Sequence, residues 1–400
     1  MSYQSFGIVF TMTLTLLTAN VTHAADWLGF RGSDHTSVVD SSLTEDLSNI
    51  AWKVDLPGRG LSSPVVVGDQ VLITASEGFR QDRLLIMSFD ANKGSLNWSQ
   101  EFFATGRTGC HEKTSVAAPS PVSDGKAIYV FYSSNDAICL ELDGSLRWFR
   151  GLMVDYPNAS NSLGMSSSLA LIDNVLICQM ENDAQSVTVG LETKTGKTVW
   201  ELDRPRAANW TSPTVFKDPL RKKTVVLLQS SEGVSAIDPQ SGDQLWSYSD
   251  GASTIPSSVI SQQTVLIPSN GLTRIKPSFS DPEILWQQSN LRPGTASPVV
   301  DGDNVYVINR AGVISSADMK EGKRQWQFRT EGPYSATPLV SNGKMYLFNE
   351  KGLGQVVALG QDGGELISSF DLKQTILSTP AASNGAIYLR SDSTLWKISD

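Results

Sequence analysis

A short pattern recurs along this chain at intervals of 40 to 52 residues, and it restricts the fold more than any other feature. It places an acidic residue, a glycine and a tryptophan four positions apart, as in "DANKGSLNW" (Asp90, Gly94, Trp98). Full copies recur at 192–200, 238–246 and 318–326, shortened or degenerate copies end at Trp148 and Trp286, and Ser368 takes the tryptophan position in another. Repetition at this period indicates stacked copies of one small structural unit.

A second pattern precedes these copies and predicts what each unit contains. A small residue and a proline are followed by an apolar run, a tight turn and another apolar run, as in "SPVVDGDNVYVI" from Ser297. Pairs such as Asp301-Gly302 and Asn342-Gly343 suit the positive φ of two-residue hairpin turns. Four short strands in about 45 residues are typical of a propeller blade.

The two ends of the repeat region complement each other. After Ser368 the chain supplies only three more strands, whereas "NIAWKVDL" near the amino terminus carries Trp52 where a fourth strand would have its tryptophan. The sequence therefore predicts an all-β fold, an eight-bladed β-propeller of four-stranded antiparallel sheets over residues 50–400, with the ring closed by an N-terminal strand. Closure of this kind joins the last blade to the first and leaves only short, protected sheet edges.

The recurring tryptophans have an architectural explanation. We expect the acid-to-glycine run to form the turn between the third and fourth strands. Glycine there can adopt the strained backbone conformation, and the acid can accept hydrogen bonds from the backbone amides of the turn. The tryptophan would then begin the outer strand and pack between neighbouring blades, where an indole buries 150–250 Å². The predicted docking residues are Trp52, Trp98, Trp148, Trp200, Trp246, Trp286 and Trp326.

Composition and the amino terminus predict an exported protein, periplasmic or extracellular. Residues 1–24 have the apolar stretch and small-residue end of a signal peptide, too short to span a bilayer, and residues 25–49 form a polar segment that is a strap or a mobile arm. No cysteine precedes Cys110, so no lipid anchor is expected, and no similar apolar stretch follows residue 17, so no transmembrane segment is expected. The net charge of -9 and the lack of a basic stripe argue against a nucleic-acid partner.

The chain has three cysteines, an odd number that allows at most one bridge within the chain, so a disulfide framework is not supported.

The two patterns together resemble the PQQ-type repeat, whose docking tryptophans fasten eight-bladed propellers, and the resemblance covers nearly all of residues 50–400. In addition "DWLGFRG" (26–32) is similar to the leader of secreted bacterial PQQ-like repeat proteins. The family includes quinoprotein alcohol dehydrogenases, which bind pyrroloquinoline quinone (PQQ) and Ca²⁺ on the propeller axis, and BamB-type outer-membrane assembly proteins, which use the propeller as a binding surface. This chain lacks the adjacent cysteine pair, the haem motif and the acidic cluster of the former, and the lipidation cysteine of the latter.

The sequence offers little for catalysis, so no catalytic residue, metal ligand or cofactor is expected. Its histidines, at 23, 35 and 111, cannot form a three-histidine zinc site, and no nucleophile elbow or phosphate-binding loop is present. The longest connections belong to the first four blades and share one face, where binding residues concentrate. The candidates there are Arg80, Arg107, His111, Lys113, Tyr156, Arg206 and Trp210.

These residues lead to two functional hypotheses. The first is a non-catalytic exported binding or scaffold protein that uses this face for a protein or glycan partner. The alternative is a PQQ- and Ca²⁺-dependent alcohol or sugar dehydrogenase.

Overall fold

The structure is a computed structural model that describes residues 26–160 and 162–400, and its regular elements are 33 strands in eight sheets. Strand β1 is Val38–Val39 and strand β2 is Ile50–Asp55. Blade 1 contains β3 (Val65–Val67), β4 (Gln70–Glu77), β5 (Arg83–Asp90) and β6 (Leu96–Phe103). Blade 2 contains β7 (Val122–Ser123), β8 (Ala127–Phe131), β9 (Asp136–Glu141) and β10 (Leu146–Gly151). Blade 3 contains β11 (Ala170–Ile172), β12 (Val175–Met180), β13 (Val187–Glu192) and β14 (Thr198–Asp203). Blade 4 contains β15 (Thr214–Asp218), β16 (Lys223–Ser230), β17 (Gly233–Ile237) and β18 (Gln244–Tyr248).

The remaining four blades follow in the same order. Blade 5 contains β19 (Val259–Ser261), β20 (Thr264–Ile267), β21 (Leu272–Lys276) and β22 (Glu283–Gln288). Blade 6 contains β23 (Val299–Asp301), β24 (Asn304–Ile308), β25 (Val313–Asp318) and β26 (Arg324–Arg329). Blade 7 contains β27 (Leu339–Ser341), β28 (Lys344–Phe348), β29 (Leu353–Leu359) and β30 (Gly364–Asp371). Blade 8 contains β31 (Ala381–Ser383), β32 (Ala386–Arg390) and β33 (Thr394–Ile398).

The predicted closure of the ring is confirmed. Strand β2 pairs antiparallel with β33, with Lys53 opposite Trp396, and so supplies the fourth strand of blade 8. Blade 7 departs from four strands, because β1 adds to β27 as a parallel fifth strand. The all-β, eight-bladed prediction is therefore correct, with this one addition.

Burial along each blade follows from its position between two neighbours. Inner strands such as β12 are buried at every residue, because both faces of the sheet pack against other blades. Outer strands such as β2 alternate between partly buried and exposed side chains. In every blade the pairing of the third and fourth strands shifts register near the tryptophan position, as between Leu146 and Trp148. A bulge there turns the side chain out of the regular pleat.

The geometry answers why glycine and tryptophan recur together. The indole of Trp98 donates its N–H to the carbonyl of Leu142 in the next blade at 3.0 Å, and it covers the turn glycine Gly144. A Cβ added to Gly144 would lie 2.7 Å from that ring. The same indole-on-glycine contact joins Trp52 to Gly94, Trp148 to Gly196, Trp200 to Gly242 and Trp286 to Gly322. Trp246 differs, since its N–H points to Asp218 of its own blade at 3.4 Å and the next blade lacks the glycine.

Residues 26–39, the axial segment, lie against the inner strands of several blades. Trp27 forms a bridge with Val66 of blade 1, and the carbonyl of Leu28 accepts the N–H of Ser123 in blade 2 at 2.8 Å. Arg31, which is 1% exposed, donates to the carbonyl of Ser258 in blade 5 at 2.9 Å. These contacts span the ring, so this part of the polar segment is a strap. The proposed signal peptide, residues 1–24, lies outside the described residues.

Two further observations concern the described residues. The three cysteines are free, with Cys139 and Cys178 buried and Cys110 partly exposed. In residues 26–160 and 162–400 no helix has the length and apolar character needed to cross a membrane.

Candidate functional site

Eight hydroxyl side chains form a ring around the propeller axis, one from each blade, two residues before the start of its inner strand. The N–H of Ser63 donates to the Oγ of Ser120 at 2.9 Å, and the N–H of Ser120 donates to the Oγ of Ser168 at 3.0 Å. The same bond repeats from blade to blade as far as Thr337 and Thr379, at 3.0–3.1 Å. This hydroxyl ring consists of Ser63, Ser120, Ser168, Ser212, Ser257, Ser297, Thr337 and Thr379.

The ring retains hydrogen-bonding capacity that faces the axis. All eight residues line one cavity of about 340 Å³, the axial pocket. Seven of the hydroxyl oxygens accept a backbone N–H, and none of the eight donates to another described residue. A hydroxyl that accepts one bond keeps its own O–H and a second lone pair. The axial pocket therefore presents groups that can both donate and accept.

Apolar side chains surround the hydroxyls nearer the pocket mouth. Trp210 lines the pocket from blade 4 and is fixed by its N–H bond to the carbonyl of Gly164 at 2.8 Å. The aliphatic lining consists of Leu61, Ala118, Leu163, Ile255 and Leu377. On the opposite side of the ring, Phe30 of the axial segment closes the pocket. The pocket therefore opens on the side of the blade-to-blade loops.

Charge beside the pocket is balanced or removed from solvent. At the mouth, Lys113 Nζ and Glu350 Oε2 lie 2.8 Å apart, and this hydrogen bond raises the pKa of Lys113. Behind Phe30, burial lowers the pKa of Arg31 to about 10. Burial lowers the pKa of His35 to about 4, and Arg31 adds to this effect, so His35 is neutral at pH 7.

The long connection from 104 to 121 crosses the pocket mouth. Its His111 N–H donates to the carbonyl of Leu163 at 2.8 Å, and Lys113 reaches across the axis to Glu350 of blade 7. Gln81, from the loop between β4 and β5, donates to Cys110 Sγ at 3.2 Å. These contacts hold the loops of blades 1 to 3 together. We call this side the loop face; it carries the blade-to-blade connections and the connections between second and third strands.

The sequence-predicted residues do not all converge. His111, Lys113 and Trp210 line the axial pocket, whereas Arg206 lines a separate depression with Asn158 and Arg204. Arg80 and Arg107 are exposed on loops of the loop face. Tyr156 is 8% exposed, and its hydroxyl donates to Glu201 at 2.7 Å.

Tyr156 is thus placed as a structural residue rather than a surface contact. Burial, followed by the bond to Glu201, raises the pKa of its phenol. The alternation of polar and apolar residues in "MVDYPNAS" did not show which residue turns inward. Its neighbour Val154 is the exposed one, at 82%.

Sequence reasoning also missed the hydroxyl ring, Phe30 and Glu350. A signal for the ring was present, since Ser or Thr stands directly before proline at Ser63, Ser120, Ser212, Ser297, Thr337 and Thr379. The proline suggested the start of a strand and drew attention away from the hydroxyl. Nothing local marks Phe30 or Glu350, because blades far apart in sequence bring them to the axis.

The donors of the axial pocket do not match a calcium-bound quinone. Its one carboxylate, Glu350, accepts bonds from Lys113 and Ser335. Within the described ranges no group of three or more His, Cys, Asp or Glu side chains is placed to hold a metal ion. Hard cations such as Ca²⁺ take six to eight oxygen ligands, often from several carboxylates. The residues around the axis therefore do not fit PQQ with Ca²⁺.

Comparison with known proteins gives a family match and several structural neighbours. The family model described as outer membrane protein assembly factor BamB matches residues 43–182, 82–270 and 272–353. A curated protein of that name from Alkalilimnicola ehrlichii is 28% identical over 187 residues, which are 46% of this chain and 42% of the relative. The alignment thus spans less than half of the relative's length.

Solved structures share the architecture at low identity. BamB from Moraxella catarrhalis superposes with a TM-score of 0.64 at 16% identity, covering 87% of this chain and 96% of that chain. Quinohemoprotein alcohol dehydrogenase from Comamonas testosteroni gives 0.70 at 12% identity, covering 95% and 81%. A europium-containing methanol dehydrogenase gives 0.72 at 9% identity, covering 94% and 98%. Likeness at these identities concerns the fold alone, and one fold carries unrelated functions.

Proposed function

The chain belongs to the PQQ-repeat family whose model is described as outer membrane protein assembly factor BamB, and from this premise we propose that it is an exported, non-catalytic binding protein. Its partner is a protein, held on the loop face over blades 1 to 4. The observation that carries the proposal is the group of exposed apolar side chains among braced loops on that face. Exposed apolar surface rimmed by polar residues marks sites of protein interaction.

Two apolar residues are suited to anchor a partner. Phe79 is fully exposed (104%) at the tip of the loop between β4 and β5, and Val154 is 82% exposed in the connection between blades 2 and 3. Phe103, at the end of β6, is 68% exposed on the same side. Arg80 and Arg107 lie on these loops, and arginine beside aromatic residues is the composition of interface hot spots.

The loops that carry these residues are braced before any partner arrives. Gln81 bonds Cys110, and a Cβ on Gly106 would lie 2.5 Å from the Met153 side chain and 2.0 Å from the Ser134 carbonyl. The connection between blades 1 and 2 therefore packs directly on the connection between blades 2 and 3. A surface ordered in advance loses less conformational entropy on binding.

The test is site-specific photocrosslinking in cells of the source organism. A photoreactive phenylalanine at Phe79 or Val154 should capture one discrete protein partner, and Phe79→Lys with Val154→Lys should weaken its co-purification at least tenfold. The matched control is Phe279, which is 74% exposed but lies on the turn between β21 and β22, at the opposite face. Capture from position 279 alone, or full retention of the partner by the double lysine variant, would refute the proposed surface.

The quinone-dependent dehydrogenase is the second hypothesis, and it has its own test. Calorimetric titration of the purified protein with PQQ and Ca²⁺, followed by dye reduction with an alcohol or sugar, reports directly on it. From the donor set of the axial pocket we expect neither tight binding nor dye reduction.

A further inference from the structure

We propose that the axial pocket binds a neutral sugar ring, either a free hexose or the terminal residue of a glycan. The axial pocket opens on the loop face, but the residues that line it are not Phe79, Phe103 or Val154, and the inference does not rest on the proposed function. The inference rests on four properties of the axial pocket: its hydrogen-bonding groups, its aromatic wall, its charge and its size.

The hydrogen-bonding groups favour a ligand that is itself a polyol. Each hydroxyl that is held as an acceptor by the neighbouring blade can still donate its O–H and accept once more. A sugar hydroxyl has the same two capacities, so one ligand group can satisfy both. The bonds from backbone N–H groups hold seven of the eight hydroxyl oxygens in place. The positions of these hydrogen-bonding groups are therefore set before the ligand enters.

The wall and the charge agree with a neutral sugar. The flat apolar face of a pyranose packs well on an indole, and Trp210 is fixed at the wall by its bond to Gly164. The charged pair of the lining, Lys113 and Glu350, is mutually neutralised. An ion buried in this pocket would therefore find no unpaired opposite charge in the lining. Burial of a charge without a partner is costly, so ionic ligands are disfavoured.

Size sets an upper limit on what enters. The volume of about 340 Å³ lies at the low end of small-molecule sites, which span roughly 300–1,000 Å³. At about 30 Å³ for each water displaced, it corresponds to about a dozen non-hydrogen atoms, which is the size of a hexose. Phe30 closes the far side, so a longer glycan would insert only its end.

The experiment is ligand-observed NMR by saturation transfer on the purified full chain. The neutral probes are D-glucose, N-acetyl-D-glucosamine, methyl glucoside and maltotriose, and the anionic probe is D-gluconate. We expect at least one neutral probe to bind with a Kd on the order of 1 mM or tighter. Equal binding of methyl glucoside, with transfer concentrated on one terminal residue of maltotriose, would identify a glycan end, whereas preference for free glucose would identify a free sugar.

Variants then place the binding in the axial pocket. Thr295 lines the pocket mouth, and Thr295→Trp should fill it and weaken sugar binding at least tenfold. The matched control is Asn290→Trp, in the same connection but lining a different depression, which should bind as the parent does. Thr337→Val removes one ring hydroxyl at constant shape and should weaken binding several-fold. The unfolding midpoint of each variant shows that it is folded, and Thr295→Trp carries the test alone if Thr337→Val unfolds.

Three results would overturn the inference. One is no saturation transfer to any neutral probe at concentrations of ~100 mM, about a hundred times the expected Kd. Another is sugar binding that Thr295→Trp leaves unchanged. The third is tighter binding of gluconate than of glucose, which would assign the pocket to anions, drawn by Arg31 behind the Phe30 ring at 5.5 Å from its centroid.

Discussion

The indole-on-glycine contact between blades gives a prediction with an internal control. Gly196 and Gly343 both occupy turns with positive φ, at 69° and 71°. A Cβ on Gly196 would lie 2.7 Å from Cδ2 and Cε3 of Trp148, whereas a Cβ on Gly343 would meet nothing within 4 Å. Alanine at the two sites therefore imposes a similar backbone conformation and a very different packing environment.

The expected magnitudes follow from two contributions. Positive φ costs alanine roughly 1–2 kcal/mol, and the smaller entropy of its unfolded chain offsets about 0.4–1 kcal/mol of this. Gly343→Ala should thus lower the free energy of unfolding by about 1 kcal/mol. Gly196→Ala carries the same backbone cost and adds overpacking against the buried indole, typically about 1–3 kcal/mol. Its total should be about 2–4 kcal/mol.

Urea unfolding monitored by tryptophan fluorescence measures both variants, with equal slopes required for the comparison. A Trp148→Leu background provides a second check, because it removes the ring that the new Cβ would strike. There the penalty of Gly196→Ala should fall to that of Gly343→Ala, which gives a coupling energy of about 1–3 kcal/mol. Equal destabilisation by the two alanines in the parent protein, within ~0.5 kcal/mol, would refute the packing explanation.

Three further predictions concern buried charge. Arg204 and Glu181 form a buried pair at 2.7 Å, so Arg204→Met should cost about 3–5 kcal/mol at pH 7. Burial already raises the pKa of Glu181, so its protonation should shrink this loss as the pH falls, and pH-dependent urea unfolding checks both statements. His35 has a folded-state pKa of about 4 against an ordinary value of 6.5, so unfolding free energy should fall by about 3 kcal/mol as pH drops from 6.5 to 4. His35→Asn, which tolerates the positive φ at this site, should lack that part of the slope. Arg390→Met should lower the thermal unfolding midpoint more than Arg59→Met, since Arg390 is fully buried and Arg59 is partly exposed; a larger effect of Arg59→Met would contradict this ranking.

The propeller could be predicted because its determinants are local and repeated. Each Asp-Gly-Trp copy specifies its own turn; for example Asp90 Oδ1 accepts the N–H groups of Asn92 and Lys93, both at 2.8 Å. Trp52 identified the closing strand because a single tryptophan stood in register with six others. Such features need no knowledge of distant parts of the chain.

The axial pocket could not be predicted in the same way. Its ring takes one hydroxyl from each of eight blades, and a serine before proline also favours ordinary turns. Glu350 and Lys113 meet across the axis although 237 positions separate them in the chain. Tyr156 illustrates the reverse error, since a long loop was treated as surface although this residue packs into the core of blades 2 and 3. Loop residues acquire their environment from packing, which strand periodicity does not encode.

The junction where the two ends of the chain meet shares the indole-on-glycine contact, through Trp52 and Gly94, but around the axis it is held differently from the other seven. Between Thr379 of blade 8 and Ser63 of blade 1, the described residues show no counterpart of the hydroxyl-to-amide bond found at every other junction. Arg390 takes its place: from blade 8 its Nη1 donates to the carbonyl of Thr74 at 2.5 Å and to Ser62 Oγ at 3.3 Å. A Cβ on Gly60 would lie 2.6 Å from the same guanidinium. Glycine at this position therefore leaves room for the arginine side chain. The other junctions join blades that are consecutive in the chain, whereas this one must bring chain ends together at the entropic cost of a long loop. Charged hydrogen bonds are stronger than neutral ones, so those of Arg390 offset part of that cost.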